Sequence, residues 1–385
     1  MKLLYLVSQR FPTEKAYGIQ IAKTCEAFSN AGVDTELIVP TRKGKLTNPF
    51  EYYGVKRSFR FTRIASPDFY LPGILDRVAF YIKQFISAKR LVSYARKNGA
   101  DIFYTRDELV AFFLNLSCLQ TVVFEAHRFT WSRRLFYRRF LRIGIKIAVI
   151  SQGIKDEFVK FGFSDNQIFV AHDGVDIEQF DINITKDQAR AELRLPRDVF
   201  LVGYVGQLKT LGMSKGVDYL IEGFAIFHHD HPKSKLVIVG GAPEDIGESQ
   251  RLVQRLKIPD GAIIFIGRQA HSVIPKYLKA FDTLVMTYPD KLHFARFMSP
   301  LKLFEYMASG RPIIATDLPS IREILNEHNS FLIKPGNPRA LAIGIQQFTN
   351  NPELASRLAG QALIDVQQHT WQRRVDMILN FIKQQ

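Results

Sequence analysis

Two lysines in this chain stand where helix electrostatics argues against them. In Ser299-Pro300-Leu301-Lys302-Leu303-Phe304-Glu305-Tyr306-Met307-Ala308-Ser309-Gly310-Arg311-Pro312 the residue types spell one short helix. Ser299 suits an N-cap, Pro300 the first helical position, Gly310 a left-handed end and Pro312 a stop. Lys302 then falls in the first turn, against the positive end of the helix dipole, a mismatch of about 0.3–1 kcal/mol. An anion such as phosphate on the free N–H groups would give that cation a purpose. Glu305, one turn deeper, is acceptor-only and would suit the hydroxyls of a ribose or sugar. Upstream, Gly206-Gln207-Leu208 follows a strand, and Ser214-Lys215-Gly216 puts a second lysine at a helix start. Together the two lysines point to a diphosphate held between helix N-termini and two ammonium groups. The competing reading is a solvated Lys302–Glu305 pair at i, i+3 and an ordinary surface lysine. Gly240-Gly241 after the next strand lets backbone approach the same place, and Ile266-Gly267-Arg268 ends another strand, where Arg268 could stack on or pair with a nucleobase.

The elements that must position these groups alternate in a βα rhythm. In the first half Leu3–Val7, Thr35–Pro40, Asp101–Tyr104, Thr121–Glu125, Ile147–Ser151 and Ile168–Val170 read as strands, with a helix after Gly18 carrying Ile21, Ala22, Cys25 and Phe28. In the second half Val199–Val205, Lys235–Val239, Ala262–Ile266, Thr283–Met286 and Pro312–Ala315 read the same way. This order predicts an α/β fold of two Rossmann-like parallel-sheet domains facing across a cleft, with ligands at the strand C-terminal ends. The domains are placed at 1–170, joined by an amphipathic C-terminal helix 371–385, and at 195–370; residues 181–198 read as a polar connection. Gly18 alone is no dinucleotide fingerprint. Residues 41–75 read as an extended basic and aromatic loop (Arg42, Lys43, Lys45, Tyr52, Tyr53, Arg57, Arg60, Arg63) with one strand near Phe59–Ile64. A helix follows at about Asp76–Lys97, with Val78, Ile82, Phe85 and Ile86 as its apolar residues.

The formal net charge of +15 is unevenly placed: residues 1–150 hold 25 Lys/Arg against 11 Asp/Glu, residues 151–385 hold 27 against 26. A basic first half points to an anionic partner. Arg133, Arg134, Arg138, Arg139 and Arg142 are interleaved with Leu135, Phe136, Tyr137, Phe140 and Leu141. A helix of that pattern either lies on an anionic membrane surface or presents a solvated arginine face. Nucleic acid is not expected, since the arginines follow no recognised reading motif. Cys25 and Cys118 show no metal or redox spacing, which fits a reducing compartment. With no signal peptide visible and no apolar run near the ~20 residues that span a bilayer, the chain reads as cytoplasmic, soluble or peripheral on the membrane face. No metal site is evident and there is no Asp-x-Asp pair, so no cofactor is expected.

The order Gly206-Gln207 to Lys215-Gly216, Ile266-Gly267-Arg268, and Ser299 through Pro312 resembles the retaining glycosyltransferases of family 4, of GT-B architecture. Ala171-His172-Asp173-Gly174-Val175-Asp176 and the Gly18 loop extend the likeness over nearly the whole chain. The resemblance implies transfer of a sugar from a nucleotide-sugar, with the donor held by the second domain and an acceptor by the first. Lys215 would bind the donor diphosphate and Glu305 the ribose. Ser299, Leu301 and Lys302 would line phosphates and sugar, and Gly18 would let its loop approach the diphosphate. Phe124-Glu125-Ala126-His127 resembles the family's Glu-x-His strand end and makes His127 the catalytic candidate beside the transferred sugar. Two positions depart from the family pattern. Phe297 stands where many members have a glutamate, and Gln207 where many have arginine, a charge that Lys302 would supply. A GT-B nucleotide-sugar epimerase and a non-catalytic nucleotide-dependent membrane-associated protein are the competing functions. Turnover of a sugar donor separates the last from the transferase.

Overall fold

The computed structural model describes residues 1–43, 48–73, 75–116 and 120–384; Lys45 and Cys118 lie outside them. The chain divides into two units, one formed by Met1–Asp173 with the segment from Trp371 onward, the other by Gly174–Thr370. Both are α/β units built on a parallel sheet, as the βα rhythm predicts.

In the first unit seven strands run parallel: β1 (Lys2–Leu6), β2 (Asp34–Pro40), β3 (Arg60–Ile64), β4 (Ile102–Thr105), β5 (Thr121–Ala126), β6 (Lys146–Val149) and β7 (Ile168–Val170). Their order is β3-β2-β1-β4-β5-β6-β7, with Leu3 paired to Thr35 on one side and Ile102 on the other. Runs such as Leu3-Leu4-Tyr5-Leu6 are buried on both faces, as a sheet covered by helices requires. The Trp371–Lys383 helix belongs to this unit, and Lys146 Nζ donates to its last carbonyls, Phe381 O (2.7 Å) and Ile382 O (2.9 Å). A cation on a helix C-terminus satisfies orphan carbonyls and the dipole together.

The second unit has a six-stranded parallel sheet and a short hairpin. Its strands are β8 (Phe200–Val205), the hairpin strands β9 (Lys209–Thr210) and β10 (Met213–Ser214), then β11 (Ser234–Val239), β12 (Ile263–Ile266), β13 (Thr283–Met286), β14 (Ile313–Thr316) and β15 (Phe331–Ile333). The sheet order β12-β11-β8-β13-β14-β15 reverses direction at β8. One apolar cluster packs Leu303, Phe304 and Met307 of the Leu301–Ala308 helix against Val205 and Met286. The other packs Val217, Leu220 and Phe224 of the Val217–Asp230 helix against Val202, Tyr204 and Val285. The two helices that begin beside the key lysines therefore cover opposite faces of one sheet.

The structure differs from the sequence reading at several places. Residues 181–198 are not a free connection: they contain the Lys186–Glu192 helix, whose buried Arg190 bonds Asp282 (2.6 Å), Ala280 O (2.8 Å) and Arg197 O (2.7 Å). Gly18 does not precede its helix but lies in the first turn of Ala16–Asn30. Ser299 is not the N-cap; Pro300 occupies that position and Leu301 is the first helical residue. The Leu75–Asn98 helix exposes its apolar Val78, Ile82 and Phe85 and buries Ala79, Lys83, Ser87 and Leu91.

Candidate functional site

In a parallel sheet the strand C-terminal ends at the reversal of strand order leave a natural crevice. In the second unit that reversal falls at β8 and β13, which end at Val205-Gly206 and at Met286-Thr287-Tyr288. The Leu301–Ala308 helix is fixed to this edge by Tyr306, whose hydroxyl accepts from Val205 N–H (2.8 Å). Lys302, on the same helix, is buried, with Nζ 3.8 Å from the ring centroid of Tyr204 and 5.0 Å from that of Tyr288. Gly206 adopts φ +138°, and a Cβ there would lie 3.7 Å from Lys302 Nζ. The lysine thus lies on the backbone of the turn after β8.

Lys215 reaches the same edge from the opposite sheet face. Gly216, the N-cap of the Val217–Asp230 helix, has φ +82°, and its α-carbon presses against the Thr287 carbonyl so closely that any Cβ would collide with it. Thr287 Oγ1 donates to Gly216 O (2.7 Å), locking the two turns together. Only glycine meets both requirements, and this contact sets where Lys215 stands.

Two ammonium groups gathered this way repel each other. Burial first, and then the charge of Lys215, hold the Lys302 ammonium well below its ordinary value, against an opposing pull from Glu305. Burial lowers Lys215 to about 8. Lys302 Nζ has no hydrogen-bond partner among the described residues, a costly state for a buried polar group. The faces of Tyr204 and Tyr288 offset part of that cost.

Glu305 does not pair with Lys302 by hydrogen bond. Its Oε1 lies 2.8 Å from His271 Nε2, and His271 Nδ1 lies 3.1 Å from Gln179 Nε2. A glutamine amide nitrogen can only donate, so Nδ1 accepts and Nε2–H donates to the carboxylate. His271, Gln179, Tyr204 and Tyr288 went unread in the sequence because none of them stands in a motif. Of the other expected residues, Ser299 is buried, Leu301 half-buried and Gln207 half-buried with its carbonyl accepting from Tyr204 OH (2.8 Å). Gly241 takes φ +90° against Leu208. Arg268 is exposed beyond β12. Phe297 is half-buried at the end of the short Leu292–Arg296 helix.

The first unit contains a second cluster. Glu125, fully buried in β5, receives hydrogen bonds from Arg374 (2.9 Å), Tyr104 and Gln20, and its Oε1 lies 2.6 Å from His127 Nε2. Burial alone would raise this carboxyl, but Arg374 and then His127 hold it well below the carboxylate range. Burial and the positive charge of Arg106 push His127 down to about 4, against the pull of Glu125. At neutral pH the ring is therefore uncharged, donates Nε2–H to Glu125 and keeps Nδ1 as an acceptor. Gly18 has its Cβ direction filled by Tyr53, whose hydroxyl accepts from Thr13 N–H (2.6 Å) and donates to Thr13 O (2.7 Å). Its place in the fold has that close approach as one physical reason. Arg134, Arg138 and Arg142 line an exposed face of the Arg134–Arg142 helix, whereas Arg133 and Arg139 are half-buried rather than gathered with them.

Comparison with known proteins gives matches over both units. A family model described as glycosyl transferases group 1 matches residues 199–351, and one described as Glycosyltransferase Family 4 matches residues 18–179. A D-inositol 3-phosphate glycosyltransferase of Streptomyces scabiei is 25% identical over 216 residues, 54% of this chain and 46% of that protein. A putative teichuronic acid biosynthesis glycosyltransferase, TuaC of Bacillus subtilis, is 27% identical over 228 residues, 58% of this chain and 52% of that protein. These matches span about half the length of the curated relatives. Among solved structures, a glycosyltransferase from Rickettsia africae superposes with a TM-score of 0.78 at 18% identity, covering 99% of this chain and 97% of that one. Anabaena HepE in complex with UDP and glucose gives 0.75 at 17% identity over 100% of both chains.

Proposed function

This chain belongs to the family 4 glycosyltransferases, and from that membership we propose that it moves a hexosyl group from a nucleotide-sugar to an acceptor hydroxyl with retention of anomeric configuration. The observation that carries the proposal is the Lys302 ammonium, buried without an acceptor beside Lys215 at the reversal point of the second sheet. One diphosphate would satisfy both cations. The neighbour HepE was solved with UDP, which makes a uridine nucleotide the first donor to try.

In this reading Lys215 and Lys302 hold the diphosphate beside the turn after Gly206. Glu305, oriented by His271, accepts from the ribose hydroxyls. Ser299, Leu301 and Gln207 line the phosphates and sugar, the Gly240-Gly241 turn gives room for backbone approach, and the Ile266-Gly267-Arg268 strand end meets the base. In the reaction the bond between the anomeric carbon and the diphosphate oxygen breaks, and a bond to the acceptor oxygen forms on the same face. The acceptor's proton leaves with the departing diphosphate. Charge grows on that diphosphate as the bond breaks, so fixed ammonium groups aimed at it favour the transition state over the ground state. They would do the electrostatic work that a divalent cation does elsewhere. His127, neutral and with Nδ1 free to accept, is the side chain we assign to the hydroxyls of the transferred sugar.

The test is a thermal-shift panel with UDP-, GDP- and ADP-sugars, followed by turnover of whichever raises the midpoint. A shift in the parent that Lys302→Met abolishes supports the assignment. A shift unchanged by Lys302→Met would place the nucleotide elsewhere and end this reading.

A further inference from the structure

The first unit carries a helix built inside out. In Leu75–Asn98 the N-terminal half buries Lys83, whose Nζ lies 3.8 Å from the Tyr70 ring centroid, and Ser87, which accepts from Arg42 (2.8 Å). The apolar residues Leu75, Val78, Tyr81, Ile82 and Phe85, spaced to form one stripe, are between 44% and 58% exposed. Phe69, Tyr70 and Leu71, just before the helix, are exposed as well. Water should have driven that stripe inward, because its side chains are those that fill cores. A contiguous exposed apolar surface of this kind marks an interaction site.

The charges around the stripe say what kind. Arg77 and Lys89 flank it and are exposed, and its one acidic residue, Asp76, sits at the helix start accepting from Leu71 N–H (3.2 Å). A chain of rings then leads away from it: Phe85 to Phe113 (5.6 Å), Phe113 to Phe112 (5.8 Å), Phe112 to Phe136 (5.4 Å). Phe136 belongs to the Arg134–Arg142 helix, which presents Arg134, Arg138 and Arg142, holds no acidic residue and begins beside the exposed Trp131 and Leu135. Apolar side chains and cations on adjoining helices match one chemistry well: acyl chains beneath anionic headgroups. A nucleic acid would answer the arginines but leave the stripe in water.

We propose that this surface docks the protein on an anionic bilayer, with the Leu75–Phe85 stripe entering the acyl boundary and the arginine helix lying on the headgroups. This does not depend on the donor reading, because every residue involved lies in the first unit. The probe is co-sedimentation with phosphatidylcholine vesicles, with and without phosphatidylglycerol, at two salt concentrations. The parent should bind the phosphatidylglycerol vesicles. Replacing Arg134, Arg138 and Arg142 by Gln should weaken this on the order of 100-fold at low salt, from about a fivefold contribution each, and less at high salt. Val78→Glu with Ile82→Glu should abolish binding at both salts. In the unmodified protein Trp131 emission should shift to the blue on binding, while Trp371 is already buried. Absence of binding by the parent, binding indifferent to both sets of substitutions, or Trp131 emission unmoved in the bound protein would each overturn the proposal. So would a dimer in solution that Val78→Glu with Ile82→Glu dissociates, since the stripe would then be covered by a second copy.

Discussion

At the scale of single residues, the informative groups are those whose ionisation the fold has made costly. Lys302→Met should keep the packing against Tyr204 and Tyr288 while removing the unpaired ammonium. Relief of about 1–3 kcal/mol corresponds to a midpoint about 2–6 °C higher for the unliganded protein. Donor turnover should fall about 100-fold or more, the scale of losing a transition-state electrostatic contact. A variant that is both less stable and fully active would contradict the assignment. Because Lys215 sits at about 8 in the free protein, a bound diphosphate must pull a proton back onto it. Calorimetry of UDP binding at pH 8 in buffers of different ionisation heat should therefore register proton uptake; equal heats would speak against the shared site.

His127 and Asp173 make a second residue-scale case. His127 is lowered from 6.5 to about 4, so the unfolded chain binds its proton more readily in that window and stability should rise with pH across it. Asp173 is raised from 3.8 to about 7 by burial, opposed by Arg374, so its contribution falls with pH over nearly the same range. The two slopes oppose, and the parent's stability should look flat between pH 4 and 6.5. Asp173→Asn should uncover the rising limb of His127, readable by denaturant titration at a series of pH values.

At the scale of elements, the βα rhythm was legible because buried parallel strands advertise themselves as short apolar runs: Thr283–Met286 and Ile168–Val170 fall where the sequence puts them. What was not legible has physical causes. The Phe331–Ile333 edge strand, with two of its three residues only partly buried, was not read. The Lys186–Glu192 helix is polar because its anchor is a buried arginine, which composition reads as solvent-facing. The Leu75–Asn98 helix defeats the rule that an apolar stripe faces the core. In the candidate site the lysines declared themselves by violating the helix dipole. Their aromatic walls and the His271 support did not, since rings and lone histidines are everywhere in cores. The turn at Gly216 gives an element-scale test. Gly212, also at positive φ (+75°), has open space where a Cβ would go, whereas Gly216 has the Thr287 carbonyl. Gly212→Ala should cost about 1 kcal/mol of backbone strain. Gly216→Ala should cost several times more in chemical denaturation and abolish UDP binding as the Lys215 turn lifts from Thr287.

At the scale of the whole molecule, the first unit is completed by residues that follow the second in the chain. Arg374 brings its guanidinium to Glu125, to His172 O (3.0 Å) and to Thr24. Removing one partner of a buried pair typically costs about 3–5 kcal/mol. Arg374→Met should thus destabilise the first unit strongly, and adding Glu125→Gln should recover part of the loss, a coupling that a double-mutant cycle would measure. The same arrangement bears on how the protein is made. A ribosome releases the strands of the first sheet, then the entire second unit, and only afterwards the Trp371–Lys383 helix. Until that helix arrives, nascent Glu125 lacks the guanidinium that hydrogen-bonds it, has only the more distant charge of Arg106, and its carboxylate resists burial. The second unit, whose pieces are contiguous, can settle while the first still waits, so protection of β5 amides on stalled nascent chains should lag behind that of β8.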